Sequence, residues 1–265
     1  MPAIGTDLVL DVGNSRTKMG LFQGGRQVAA GVGGNGDMAA VRAFTQDQEV
    51  VAVAMGSTAA PDPGFQQALE AIAPVLVIHG ATPAPIHSAY GSPLTLGADR
   101  LANAVAAVQH FPGRPVLVFD LGTCLTYDLC LADGTYVGGG ISPGLRMRAQ
   151  AMNTYSARLP LVDPMERPEQ LGTSTEASLA AGMYYGMLGE LEGHIRRLAQ
   201  QHAPLAVVLT GGDALRFVRG LESGIFALPY LTLEGYHALL EHHRTLGHAP
   251  AAVAPGPVDG PRAAG

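Results

Sequence analysis

Nowhere in this 265-residue sequence do Lys and Arg cluster densely enough to neutralise a run of nucleic-acid phosphates; charged residues make up only 14% of the chain and the formal net charge is -6. A nucleic-acid partner is therefore not expected. No stretch reaches the roughly 18 uncharged apolar residues that a membrane span requires, and the opening MPAIGTDLVL lacks the basic and long apolar regions of a secretory leader. A cytosolic chain without a membrane partner is the expectation. Cysteine is scarce as well: Cys124 and Cys130 fall close together in one extended or hairpin segment, at neither a zinc spacing nor a distance that a disulfide could bridge, so both should be reduced, packed thiols. Absent too is G-x-x-x-x-G-K-[ST], so a nucleotide site here must be of another kind.

What the chain has in quantity is apolar side chains, 47% of the total, ample for one large packed domain or two modest ones. Its histidines are scattered. The densest group, His237, His242, His243 and His248, reads as a solvated helix face, because no carboxylate or cysteine in the sequence completes a convincing metal-ligand set.

Two segments organise the rest. LVLDVGNSRTKMGLF (Leu8 to Phe22) and VLVFDLGTCLTYDLCL (Val116 to Leu131) each run from an apolar strand through Asp-x-Gly-x-x-x-Thr into another apolar strand: Asp11, Gly13 and Thr17, then Asp120, Gly122 and Thr126. That is an internal repeat. Between the copies, EVVAVAMGS and VLVIHG read as strands, GFQQALEAIA and GADRLANAVAAVQHF as helices. After the second copy come a Gly/Pro-rich loop (GTYVGGGISPG) feeding a helix, a long helical stretch from Ser174 to Gln201, and a buried strand opening through Gly211 and Gly212 into a further helix. Residues 248–265, rich in Ala, Pro and Gly, are expected to form a flexible tail.

Singly, each Asp-x-Gly turn could be hairpin geometry alone. As a pair around a pseudo-two-fold axis they would make a phosphate clamp, with Asn14, Ser15, Thr17, Thr123 and backbone N–H groups facing phosphoryl oxygens and Asp11 and Asp120 facing a hard cation. Gly211 and Gly212 would let backbone lie against a purine, with a helix N-terminus beside the phosphates. In YGSPLTLGADRLANA, Asp99 and Arg100 start the Ala-rich helix. The Asp could simply serve the helix terminus; alternatively it faces a substrate hydroxyl while the planar Arg fork takes a substrate carboxylate.

From about Leu8 to at least Leu233 the chain resembles the type III pantothenate kinases, members of the acetate and sugar kinase/Hsp70/actin superfamily, through DVGNS, YGSPLTLGADR, DLGTCLTYD, GGGISPGLRMR, TSTEASLAAG and TGGDA in that order. The segment from Tyr90 to Arg100 is the most specific of these markers. The resemblance implies an α/β, duplicated ribonuclease H-like (actin-like ATPase) fold: two mixed β-sheet domains flanked by helices, with an interdomain cleft. The halves would be residues 1–114 and 115–247. It further implies ATP-dependent phosphorylation of pantothenate to 4'-phosphopantothenate, the first step toward coenzyme A.

Carried over residue by residue, Asp11, Val12, Gly13, Asn14, Ser15, Arg16, Thr17 and Lys18 would form the first phosphate loop, and Thr123 would touch ATP. Asp99 would accept the proton. Tyr90, Gly97, Ala98 and Arg100 would hold pantothenate, joined by Thr175 from a neighbouring subunit, which implies a homodimer with a shared active site. Asp120 would bind a monovalent cation, potassium or ammonium, alongside ATP with Mg2+. An aspartate of ordinary pKa near 4 is a poor base for an alcohol, so Asp99 is expected to act by positioning and late proton capture. The alternatives are a non-catalytic regulator of the same fold, such as a transcription accessory factor, and a superfamily kinase or phosphatase with another substrate. The first could dispense with the acidic groups that this chain keeps; the second would not need the Tyr90 to Arg100 segment.

Overall fold

The structure is a computed structural model that describes residues 5–58, 62–221 and 224–247; the expected tail, 248–265, lies outside the described residues, as does His248. Strand β1 (Thr6–Val12) forms a hairpin with β2 (Arg16–Gln23), which pairs with β3 (Arg26–Gly34); after helix α1 (Met38–Thr45), β4 (Val50–Ser57) returns parallel to β1, and after α2 (Pro63–Glu70), β5 (Val75–Ile78) adds outside it. The sheet order is β3-β2-β1-β4-β5. A short β6 (His87–Ser88) and helix α3 (Ala98–His110) follow.

The second half repeats the plan. Strands β7 (Val116–Leu121), β8 (Cys124–Cys130) and β9 (Thr135–Pro143) form an antiparallel meander, and α4 (Leu145–Thr154) and α5 (Thr175–Ala199) follow it. Then β10 (Ala206–Thr210) lies parallel to β7, α6 (Ala214–Val218) intervenes, β11 (Ile225–Ala227) joins the edge, and α7 (Leu231–Thr245) closes the fold. The order is β11-β10-β7-β8-β9-β6, so β9-β8-β7-β10-β11 matches β3-β2-β1-β4-β5 strand for strand. Strand β6 departs from the sequence boundary: it precedes residue 115 yet pairs with β9 of the second sheet.

Alternation along the central strands explains the layering. Leu8, Leu10 and Val12 of β1 join the core under α1 and α2, whereas Val9 faces the other way, into a core shared with α3 and α7. In β7, Leu117, Phe119 and Leu121 pack toward α4, α5 and α6, and Val116 and Val118 face α3 and α7. The α3–α7 pair is thus a middle layer between the sheets. Its helices cross at backbone contact: a Cβ on Gly235 of α7 would lie 2.0 Å from the Ala102 carbonyl oxygen of α3. Following the same alternation, Asp11 and Asp120 fall on the inner faces, at the carboxyl ends of their strands, which is where open α/β sheets bind ligands.

Two sequence readings are corrected, and two elements are added. The stretch GTYVGGGISPG is strand β9 rather than a loop over most of its length, accommodated by a register break opposite Leu129 and Cys130. Strand β3 and helix α1, unread in the sequence, complete the first half. His237 is not on a solvated face: it is 5% exposed, stacks on Phe22 at 4.3 Å, and its Nε2 sits 3.1 Å from Asp7 Oδ2. Both cysteines are free thiols, as expected, and burial pushes the Cys130 thiol up to about 12.

Candidate active site

Two hairpin turns and one helix start meet at the carboxyl ends of β1 and β7. In the first turn the Gly13 N–H donates to the Arg16 carbonyl at 2.9 Å, leaving Asn14, Ser15 and Arg16 exposed. Val12 is buried, its carbonyl accepting from Thr58 N–H at 3.1 Å at the end of β4. In the second turn the Gly122 N–H donates to the Cys124 carbonyl at 2.9 Å, with Thr123 exposed at the tip.

The repeated threonines, alike in sequence, are not alike in space. Thr126 pairs directly across from Asp120. In the first hairpin the register is one residue different, so that Lys18 stands opposite Asp11 and Thr17 opposite Val12. A slip of one residue sends a side chain to the other face of the sheet. Thr17 is accordingly buried, its hydroxyl accepting from the Gly36 N–H at 3.2 Å, and the Lys18 ammonium takes the place beside Asp11, Nζ to Oδ2 3.7 Å.

Asp99 lies in the first turn of α3, where Gly97 is the N-cap and Ala98 is buried. Its Oδ1 accepts the Arg100 N–H at 2.9 Å. Burial, and then the charges of Asp120 and Asp11, raise its pKa to about 7. Asp11 is likewise raised to about 6, by burial first, with Asp120 adding to the rise and Lys18 opposing it. The three carboxylates therefore lie within one another's electrostatic reach. Asp120 also accepts a 3.1 Å hydrogen bond from Asn103 Nδ2 on the next turn of α3, and Asn103 Oδ1 accepts from Thr232 of α7 at 2.9 Å.

The third junction folds against the second turn. Gly211 has φ +91°, and a Cβ there would come within 2.4 Å of Asp120 Oδ1 and 2.5 Å of the Leu121 carbonyl oxygen. Gly212 is exposed, and the Asp213 N–H donates to the Leu121 carbonyl at 2.9 Å. The helix it opens is only the short α6.

Arg100 reaches from α3 into the second sheet. Its Nε and Nη2 grip Asp128 of β8 at 3.1 and 2.7 Å, both side chains being almost wholly covered, and the Tyr136 hydroxyl donates to Asp128 Oδ1 at 2.7 Å. Tyr90 lays its ring over the guanidinium, 5.5 Å from its carbon, and stacks against Tyr136 at 6.0 Å. Tyr90, Arg100, Asp99, Asp120, Asp11 and Lys18 thus form one continuous region. Thr175 stands apart, at the exposed start of α5, in a groove of about 640 Å³ lined by Met152, Leu159, Gly172 and Ser178 and by none of the three carboxylates. Asn103, Asp128, Tyr136 and Thr232 went unread in the sequence. A lone charged residue inside the strand CLTYDLC was the available signal for Asp128.

The donor set fits hard cations: Asp11, Asp99 and Asp120 offer carboxylate oxygens with Lys18 beside Asp11, and burial first, then the neighbouring carboxylates, raise the pKa values of Asp11 and Asp99. A separate group, Asp7, His237 and Glu241, brings its ligand atoms within 4.8 Å of one another. Arg244 already supplies the cation there, with Nη2 2.6 Å from Asp7 Oδ1.

Two sheets of equal topology sharing a middle layer of helices, with carboxylates at the paired strand ends, define a duplicated actin-like ATPase fold. Among solved structures, a Campylobacter jejuni protein described as a Baf family transcriptional activator superposes with a TM-score of 0.55 at 15% identity, covering 90% of this chain and 99% of that one. An activator of 2-hydroxyisocaproyl-CoA dehydratase from Clostridium difficile, with bound ADPNP, gives 0.50 at 12% identity over 94% and 100%. Both likenesses concern the fold. In sequence, the profile of type III pantothenate kinases matches residues 7–197. A type III pantothenate kinase of Phocaeicola vulgatus is 37% identical over 91% of this chain and 100% of its own, and one of Christiangramia forsetii 35% identical over 90% and 99%. The chain belongs to the type III pantothenate kinase family. Among the described residues, no helix is long and apolar enough to cross a membrane.

Proposed function

We propose that this protein transfers the γ-phosphoryl group of ATP to the primary hydroxyl of pantothenate, giving 4'-phosphopantothenate and ADP in the first step of coenzyme A biosynthesis. The hydroxyl O–H bond breaks, a new O–P bond forms, and the bond from Pγ to the leaving ADP oxygen breaks. Asp99 takes the proton. The observation that carries this reading is the Asp99 carboxyl, lifted to about 7 beside Asp11 and Asp120. In the ligand-free site this is a base poised near the working pH; with cations beside Asp11 and Asp120, positioning and late proton capture take a larger share of its part.

The turn from Asp11 to Lys18, with Thr123, Gly211 and Gly212, receives ATP, exposed polar groups and backbone lying where phosphates need donors. Lys18 contributes a positive charge next to Asp11. Asp11 and Asp120 would hold cations, Mg2+ arriving with ATP and a monovalent ion at Asp120, which supply charge neutralisation for the phosphates. A cation there also lowers the Asp99 pKa, because the charges of Asp120 and Asp11 are among the causes of its rise. Tyr90, Gly97, Ala98 and Arg100 form the pantothenate end.

The same reading makes the protein a cytosolic homodimer, divided after residue 114 into two halves, with Thr175 acting in the partner's site. Support for the dimer lies on α5: Ser178, Gly182 and Gly186 form an exposed stripe, and none of the described residues stands within 4 Å of where a Gly182 Cβ would be. Nearby, Leu161 and Leu171 are exposed apolar side chains.

ADP release from Mg-ATP, measured with and without pantothenate in potassium and then in sodium buffer, tests the proposal. Pantothenate-dependent ADP formation that requires potassium is expected. Folded, ATP-binding protein unmoved by pantothenate in either salt would refute it.

A further inference from the structure

Arg100 is unusual for a ligand-binding arginine in how completely the protein surrounds it. Its residue exposure is 4%. The Nε–Nη2 edge of its fork is occupied by Asp128, with Nε also 3.2 Å from Asp128 Oδ2, which leaves Nη1 as the part that Asp128 does not use. Asp128 is in turn fixed by the Tyr136 hydroxyl from β9, and Tyr90 covers the assembly from the side of the expected substrate segment. Paired guanidinium and carboxylate of this kind fix orientation as well as charge.

The link also spans the fold. Helix α3 follows the first sheet in the chain, whereas Asp128 and Tyr136 belong to the second. On successive turns of α3, Arg100 is tied to Asp128 and Asn103 to Asp120, so the turn that bears Asp99 is registered against the second sheet at two points. One point involves a residue expected to hold a cation. The other has no assigned part in the chemistry.

We propose that Asp128 is a positioning residue for the pantothenate end of the site: it sets the direction of the Arg100 guanidinium and, through the adjoining peptide, the placement of Asp99. The proposal rests on the pantothenate kinase reading. Asp128 acts chiefly through Arg100, its charge also reaching Asp99, and touches neither substrate. Loss of its carboxylate therefore weakens the pantothenate end selectively and leaves the ATP end, built on the two hairpin turns and Gly211, in place.

The test is steady-state kinetics of Asp128→Asn, Tyr136→Phe, Arg100→Gln and the Arg100→Gln/Asp128→Asn double variant, varying pantothenate and ATP separately. Asp128→Asn is expected to raise the KM for pantothenate about tenfold with the KM for ATP within about twofold of wild type, and to add less than about twofold in the Arg100→Gln background. Equal losses at both substrates, or the same factor in both backgrounds, would overturn the proposal, because a merely structural residue would behave so. Should Asp128→Asn fail to fold, Tyr136→Phe decides, since it removes one hydrogen bond and keeps the ion pair: a rise of about threefold in pantothenate KM alone supports the assignment, and none overturns it. Wild-type ADP release that ignores pantothenate would sink the kinase reading itself. A pantothenate-dependent wild type with unaltered variants would sink Asp128 alone.

Discussion

Replacing Asp99 with Asn should make the ligand-free protein more stable while removing most of its turnover, and the size of the first effect can be worked from the site. In the fold, burial and the charges of Asp120 and Asp11 raise this carboxyl from an ordinary 3.8 to about 7. Below the lower value it is protonated in folded and unfolded chains alike, and contributes nothing to pH dependence. Between the two, the unfolded chain ionises while the folded one keeps its proton, so stability falls as pH rises; above about 7 both are ionised and the penalty is complete. At about 1.4 kcal/mol per pKa unit that penalty is roughly 4 kcal/mol, reduced toward about 2 by the partial exposure of the side chain. Asparagine carries no charge, and its Oδ1 can still accept the Arg100 N–H that Asp99 accepts. Urea unfolding of both proteins without nucleotide or divalent metal, at about pH 5 and about pH 8, should show a gain for the variant that is roughly two-fifths of its full size at the lower pH and grows to about 2–4 kcal/mol at the higher. ADP release should fall by about 10² or more, the usual scale for losing a positioned base. Parallel stability curves for the two proteins across that pH range would refute the assignment of a crowded, desolvated carboxylate.

Gly211→Ala demands a left-handed φ of +91° and a Cβ 2.4 Å from Asp120 Oδ1; a loss of about 1–3 kcal/mol in chemical unfolding and a raised KM for ATP should follow. Gly235→Ala would push its methyl to 2.0 Å from the Ala102 carbonyl oxygen, so the α3–α7 crossing must open, at about 1–3 kcal/mol or more, seen as a lower Tm. For Asp7, burial favours the neutral acid, but hydrogen bonds from His237 and Arg244 outweigh it and hold the pKa below its ordinary value. Its contribution is therefore present above the unfolded pKa near 4 and lost as pH falls through the lower folded one. Asp7→Asn should cost about 2–4 kcal/mol at neutral pH, with the gap to wild type closing in acid unfolding.

Much of this fold could be read from the sequence because its central strands are buried on both faces, and such strands are near-continuous apolar runs whose only polar residues stand at their ends. Asp11 and Asp120 were visible for that reason, and Asp99 because it opens a helix of strong period. What remained hidden was set by pairing rather than by pattern. Strand β9 carries Gly138, Gly139 and Gly140, residues that local preference assigns to a loop and that only the partner strand β8 and its register break can hold extended. His237 sits on a helix whose polar residues suggest solvent, yet its partner Asp7 is at the far end of the chain, on β1. Thr17 and Thr126 occupy the same place in the repeat and point to opposite faces, since hairpin register is a property of the turn, not of the motif.

That slip of one residue has a consequence for direction. Two identical turns facing each other across a two-fold axis would accept a chain of phosphates equally well in either sense, and a donor and an acceptor could exchange places. Here one carboxylate faces an ammonium, Asp11 with Lys18, while the other faces a hydroxyl-bearing strand position, Asp120 with Thr126. The duplicated architecture thus carries a built-in polarity: its two ends differ in charge, so a triphosphate held between them, as proposed, would have a head and a tail before any base is recognised.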